Sequence, residues 1–177
     1  MNVPSIPFLQ GKYPLKQYRL DALMGKSKSE LETLFLNGQT PSIEEFQGPT
    51  RGKVLSGIAH LQNPLGVYLT NIPFLPWKGK QFNRINKGEG EGINLIELWP
   101  SKQTMFHFKT AIVESLITGD HDVFSLDYDQ PGNPWFIRQI RDDLKKIDDG
   151  LFLGTANFRI KNGYKFILYF ALETERF

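Results

Sequence analysis

Apolar residues along this chain change their spacing several times, and each change predicts a different kind of element. In "SKSELETLFLNG" they recur at helical intervals, with Leu31, Leu34 and Phe35 on one face. Ser27 and Glu30 have capping-box spacing and Asn37-Gly38 makes the stop, so a helix is expected. "TPSIEEFQG" repeats that grammar over a shorter length, with Thr40 as cap, Pro41 at the first helical position and Gly48 at the end. The helical period returns in "NPWFIRQIRDDLKKI", which predicts a helix over 133–149. Asn133 would cap it and Pro134 would open it. Ile137, Ile140, Leu144 and Ile147 form its stripe, Lys145 and Lys146 suit its C-terminal dipole, and Gly150 ends it. Arg138, Arg141 and Asp142 then fall on its solvated face.

Elsewhere beyond Gly48 the period is that of strands. Segment 50–61 is the first candidate. "NPLGVYLTNIPFLPWKGKQF" is too rich in Pro and Gly for one long regular element. "KQFNRI" and "GINLIELW" flank the glycine-rich "NKGEGEG", a hairpin connection. Gly88, Gly90 and Gly92 lack the G-x-G-x-x-G spacing and precede a strand, so no nucleotide loop is read there. In "TMFHFKTAIVESLI", Phe106, Phe108, Thr110 and Ile112 face one side, and His107, Lys109, Ala111 and Val113 the other. "DVFSLDY" follows. "LFLGTANFRI" and "YKFILYFALET" close the chain around Asn162-Gly163, a strong hairpin signal.

About six to eight strands joined by tight turns argue against a parallel α/β sheet. The expected class is α+β, mainly antiparallel β: a strongly curved sheet or small closed barrel, with N-terminal helices and the late helix over an opening. Barrels of about eight strands can hold one small ligand. The 177 residues read as one domain, 1–177, with the Pro-spaced residues 1–14 as an extended arm packing through Phe8 and Leu9.

Composition narrows the chemistry. A net charge of +2, with no run of Lys/Arg, gives no footprint for nucleic acid. Zero cysteines exclude disulfides, thiol nucleophiles and Cys-ligated metal, and fit a reducing compartment. The start has no basic region followed by an apolar stretch, and the longest apolar runs are strand-length, so a cytoplasmic protein without a membrane span is expected. The aromatic share, 13% with 14 Phe, implies either a core of large rings or an aromatic-lined pocket.

Four phrases together resemble a known group. They are "RGKVL", "PWKGKQF" (76–82), "LDYDQPGNPWFIRQIRDDLKKIDDGLFLG" and "FILYFALE". They are similar to uncharacterised bacterial lipocalin-like domains, some carrying a Gly-x-Trp-x-Gly signature, over roughly residues 40–173. Trp77 and Gly79 match the second half of that signature, and Leu75 stands at its first glycine. The resemblance implies a calycin-type barrel and no particular reaction.

Candidate site residues follow from the strand faces. Asp127 and Asp129 flank Tyr128 at i and i+2, where two carboxylates on one face can divide acid and base roles. The simpler reading makes them the end of a strand and the start of the Gln-Pro-Gly-Asn turn. His107 points into the barrel if the phenylalanines beside it face outward, and into solvent if they do not. His60, His107 and His121 have no metal-ligand spacing, and no metal or other cofactor is expected. An acid–base set of His107, Asp127 and Tyr169 is the enzymatic possibility, of isomerase or cyclase type. Trp77, Phe124, Tyr128, Trp135, Arg159 and Phe166 are the candidate ligand contacts, with Arg159 orienting a carboxylate or carbonyl. Trp77, Trp99 and Trp135 each sit beside a proline, as packed corners do. A small-molecule binding protein taking a hydrophobic ligand with one polar head is the leading expectation. A protein-interaction module using the arm is a third.

Overall fold

The computed structural model describes residues 18–46, 48–56, 77–98, 101–117, 119 and 122–174. The N-terminal arm, Leu75, Trp99, His60 and His121 lie outside them. Eight antiparallel strands close into one barrel in sequence order. They are β1 (Gly48–Ser56), β2 (Trp77–Asn86), β3 (Glu89–Leu98), β4 (Ser101–Glu114), β5 (Asp122–Asp127), β6 (Ile140–Asp148), β7 (Leu151–Ile160) and β8 (Gly163–Thr174). The last hairpin pairs Leu151 with Glu173 through to Ile160 with Gly163, as the Asn-Gly signal implied. β8 then returns to pair with β1.

Alternation along the strands assigns the two surfaces. Phe124, Phe152 and Phe170 meet inside the barrel in one cluster with Phe82, Phe108 and Leu144. Their neighbours Val123, Leu153 and Tyr169 point outward, under Leu31 and Phe35 of α2 (Lys28–Leu36). That helix is the one the capping box predicted: Glu30 N–H donates to Ser27 Oγ and Ser27 N–H to the Glu30 carboxylate. α1 (Tyr18–Asp21) precedes it and buries Leu20 near Leu151 and Ala171.

One end of the barrel is plugged. The predicted helix from Thr40 is instead a short 3-10 turn, Ile43–Glu45. Ser42 N–H donates to Glu45, and the Thr40 hydroxyl bonds Asp122 O across to the sheet. The turn drives Phe46 into the lumen, where its ring centroid lies 4.3 Å from Phe152, 4.5 Å from Phe82 and 4.9 Å from Phe124. Gly90 leaves the room that the Ile43 side chain fills.

The largest departure from expectation is the late helix. Residues 133–136 make a turn, Ile137–Gln139 a single 3-10 turn, and Ile140–Asp148 is strand β6. Ile140, Asp142 and Leu144 take the inner face; Arg141, Asp143 and Lys145 take the outer. An acid in the middle of the inner row breaks the alternation that would have announced a strand. Without it, the remaining Ile and Leu spacings imitate a helical stripe. No late helix covers an opening.

Closure is uneven around the barrel. Among the described residues β1 and β2 pair at Gly48–Phe82 and Pro49–Gln81. Beyond that, the Thr50 hydroxyl donates to Lys80 O and accepts from Lys80 N–H, continuing the seam through a side chain. The Trp77 indole covers Gly52, where a Cβ would lie 2.4 Å from the ring. Gly79 has φ +145°, and the Thr50 carbonyl oxygen would sit 1.9 Å from any Cβ there. Glycine at 52 and at 79 is therefore required by the close approach of Trp77 and of the Thr50 backbone.

Candidate functional site

The unplugged end of the barrel holds a cavity of about 830 Å³. Its inner wall is mainly apolar, with Phe106, Ile140, Ala156, Leu168 and Phe170 among the lining residues. Arg51, Lys53, Lys78, Glu97, Lys102 and Gln103 also line it, exposed or half-buried. Its inner part carries four inward polar side chains on different strands: Lys80 (β2), Asn94 (β3), Tyr128 (just after β5) and Asp142 (β6). All four are buried.

They bond one another. Lys80 Nζ lies 3.0 Å from Asp142 Oδ2 and 2.9 Å from Asn94 Oδ1, and it also contacts the Tyr128 hydroxyl. That hydroxyl donates to Asp142 Oδ2 at 3.2 Å and accepts from Asn94 Nδ2 at 3.1 Å. Trp77 Nε1 donates to Asn94 Oδ1 at 3.0 Å. The rings of Tyr128, Phe170, Trp77 and Phe108 surround the ammonium, with centroids 5.1–5.4 Å from Nζ. Such ring faces attract a cation in a dry site.

Burial moves all three titrating groups. It pushes the Lys80 amine below its ordinary value, and the Asp142 carboxylate opposes that only in part. It pushes the Asp142 carboxyl up, against the pull of Lys80. The Tyr128 phenol is held well above its usual value by burial and by the neighbouring carboxylate. Amine and acid are thus driven towards each other, which lowers the cost of passing a proton between them.

Backbone irregularities aim the cluster. β2 carries a bulge between Trp77 and Gly79, which places both Trp77 and Lys80 inward. β4 carries one between Met105 and His107; Phe106, the extra residue, has φ +65°. Asn94 Nδ2 reaches the Phe106 carbonyl at 3.4 Å. Asn133, predicted as a helix cap, instead ties this bulge to the tyrosine corner. Its side chain bonds His107 N–H and O and the Tyr128 carbonyl, at 2.7–3.0 Å.

The residues picked from the sequence separate into two groups. Trp77 and Tyr128 line the cavity. His107, Asp127 and Tyr169 are not brought together. His107 is exposed on the outer face of β4. Asp127 Oδ1 accepts from Asp129 N–H at 2.9 Å, closing the turn, and Asp129 pairs with Arg138 at 2.7 Å. The Arg138 hydrogen bond holds the Asp129 carboxyl below its usual value. Tyr169 lies outside the barrel, 6.5 Å from Phe35 between ring centroids, and burial raises it to about 12. Phe124 is inside but stacked on the plug. Arg159 is external, bonded to Tyr164 and Asp129. Trp135 is exposed. Phe166 sits outside against Tyr169, because a bulge between its pairing and that of Leu168 shifts the face.

Lys80, Asn94 and Asp142 were not picked. Each is the one polar residue in an otherwise apolar inward row: Lys80 beside Phe82, Asn94 beside Ile96, Asp142 between Ile140 and Leu144. That signal is readable only once the inward register is known. Among the described residues no group of acidic or histidine side chains could hold a metal ion.

No family model matches the chain, and neither does any curated protein. A crystal structure of a protein from Thermomonospora curvata is similar to it in fold, with a TM-score of 0.55 and 18% identity. The match covers 88% of this chain and 93% of that one. Among the described residues no helix is long and apolar enough to cross a membrane.

Proposed function

We propose that this protein binds a small, mainly hydrophobic molecule with one polar head, held in the open half of the barrel. One observation carries the reading: an apolar cavity of about 830 Å³ ends on a buried, mutually bonded cluster of Lys80, Asn94, Tyr128 and Asp142. Ligand sites have this composition, apolar walls with a few convergent polar groups. A core built only for stability would replace such a cluster with hydrophobic side chains at little loss or some gain. The lipocalin-like resemblance around Trp77 and Gly79 supports the same reading, as does the place of Trp77 over the seam. A cytoplasmic setting, with no nucleic acid or membrane partner, completes it.

The test is titration with Nile red, a neutral apolar fluorophore, together with native mass spectrometry of freshly purified protein. Saturable binding near micromolar, lost in Ala156→Trp and in Leu168→Trp, is the expected result. Binding that neither cavity-filling variant alters would reject the site.

An enzyme of isomerase or cyclase type is the second reading. It is favoured by the direct contact of three titrating groups, with Lys80, Asp142 and Tyr128 as the acid–base set.

A further inference from the structure

We propose that Lys80 is a carbonyl-reactive amine, and that the cavity takes aldehydes or ketones, held as an imine on Nζ. This rests on the ligand-binding reading above and names the polar head. Charge selects the class. The cluster pairs one cation with one anion, 3.0 Å apart, inside a buried site. At the cluster itself a carboxylate approaching Lys80 would meet Asp142, whose charge cancels that of the ammonium. The other lining cations, Arg51, Lys53, Lys78 and Lys102, are exposed or half-buried and would hold a carboxylate only in contact with water. A neutral carbonyl meets no such barrier. An alcohol would fit as well, but it would leave unused the most chemically capable group in the site.

The reaction balances with the groups present. Lys80 passes a proton to Asp142, leaving an amine beside a carboxylic acid. The nitrogen lone pair attacks the carbonyl carbon; a C–N bond forms, and the carbonyl oxygen takes a proton from that nitrogen. The product is a neutral carbinolamine. Asp142 then protonates the carbinolamine hydroxyl, the C–O bond breaks, water leaves, and the nitrogen lone pair completes the C=N bond. The end state is an iminium on Lys80, a carboxylate on Asp142 and one water, neutral overall as at the start.

The surroundings suit each step. Lys80 Nζ lies 3.0 Å from Asp142 Oδ2, so the proton passes directly between the two atoms. Four aromatic rings exclude water from the amine and then stabilise the cationic iminium in place of the ammonium. Asn94 Oδ1 and the Tyr128 hydroxyl fix the direction of Nζ. An exposed lysine has only on the order of one amine in a thousand unprotonated near pH 7, and burial of Lys80 raises that fraction.

Reductive trapping tests this on the full chain, using decanal and cyanoborohydride with peptide mass mapping. Displacement of Nile red by decanol and by decanoate is measured alongside. The expected result is a decyl group on Lys80 exceeding that on the exposed Lys109 or Lys165 by roughly tenfold or more. Trapping should be slower in Asp142→Asn, and decanol should compete better than decanoate. Because Lys80→Met leaves Asp142 buried without its partner, the decisive comparison is between lysines within the unaltered protein. Displacement by decanol with no excess label on Lys80 overturns the carbonyl chemistry and leaves the cavity reading standing. Neither displacement nor label overturns both.

Discussion

The two halves of the barrel interior are built from the same inward strand positions and use them in opposite ways. At the plugged end, Phe46, Phe82, Phe124 and Phe152 stack at 4.3–6.4 Å between centroids and leave no polar side chain among them. At the open end, Lys80, Asn94, Tyr128 and Asp142 occupy equivalent positions around a void. Phe82 and Lys80 are two residues apart on one strand, as are Leu144 and Asp142. The first half gains stability from area removed from water. The second gives some up, since burying a charge pair seldom repays its desolvation. On the reading proposed above, the ligand takes the half that is harder to justify by stability.

The comparison predicts effects that separate by end. Phe46→Ala should be the most damaging, destabilising by about 3–5 kcal/mol in urea unfolding, with Nile red affinity in the surviving folded fraction little changed. An equal loss of affinity would mean the ends are not independent. Next, Lys80→Met should destabilise by about 3 kcal/mol at pH 8, because an unpaired carboxylate is left buried. The loss should be smaller at pH 5. With its pKa raised in the folded state, Asp142 favours folding while protonated, and that advantage fades as pH rises. Adding Asp142→Leu to Lys80→Met should restore the stability and not the trapping by decanal.

Smaller effects come from outside the lumen. Tyr169 titrates at about 12 when folded, against 10.0 for the free phenol. The folded state keeps a proton that the unfolded chain has lost, so stability falls as pH climbs through that window. Tyr169→Phe should remove part of the fall, with Tyr128, also raised, supplying the remainder. Smallest of all, Asp127→Asn should shift stability by no more than about 0.5 kcal/mol and leave probe affinity intact, since its Oδ1 can still accept from Asp129 N–H.

Much of the architecture was legible. Helix α2, the antiparallel barrel class and the final hairpin follow from period, capping box and turn chemistry. What failed did so for identifiable physical reasons. The 133–149 helix was read because Asp142 interrupts an inward row. Strict alternation gives Phe166 the face of Leu168 and Phe170, and a bulge there moves the register. Tyr128 and Trp77 were found as large amphipathic rings at corners. Asp142 falls on the solvated face of the expected helix, and Lys80 draws no attention because charged side chains are rarely buried. The residues that contradicted a local rule are the ones that make up the candidate site. In "LDYDQPGNPW", the two acids only close a turn, and the tyrosine between them enters the lumen.

The seam between β1 and β2 gives the cylinder a built-in weak line. Every other junction is a ladder of backbone hydrogen bonds that must break together. Here, among the described residues, two paired positions, one threonine hydroxyl and one indole stand in for the ladder. Breathing of the barrel should therefore concentrate at this line, like a cuff fastened at one end. Because Trp77 is both the cover of the seam and a hydrogen-bond donor to Asn94, each outward swing of that indole would loosen the amine's support. Opening of the wall and resetting of the reactive group would then be one motion.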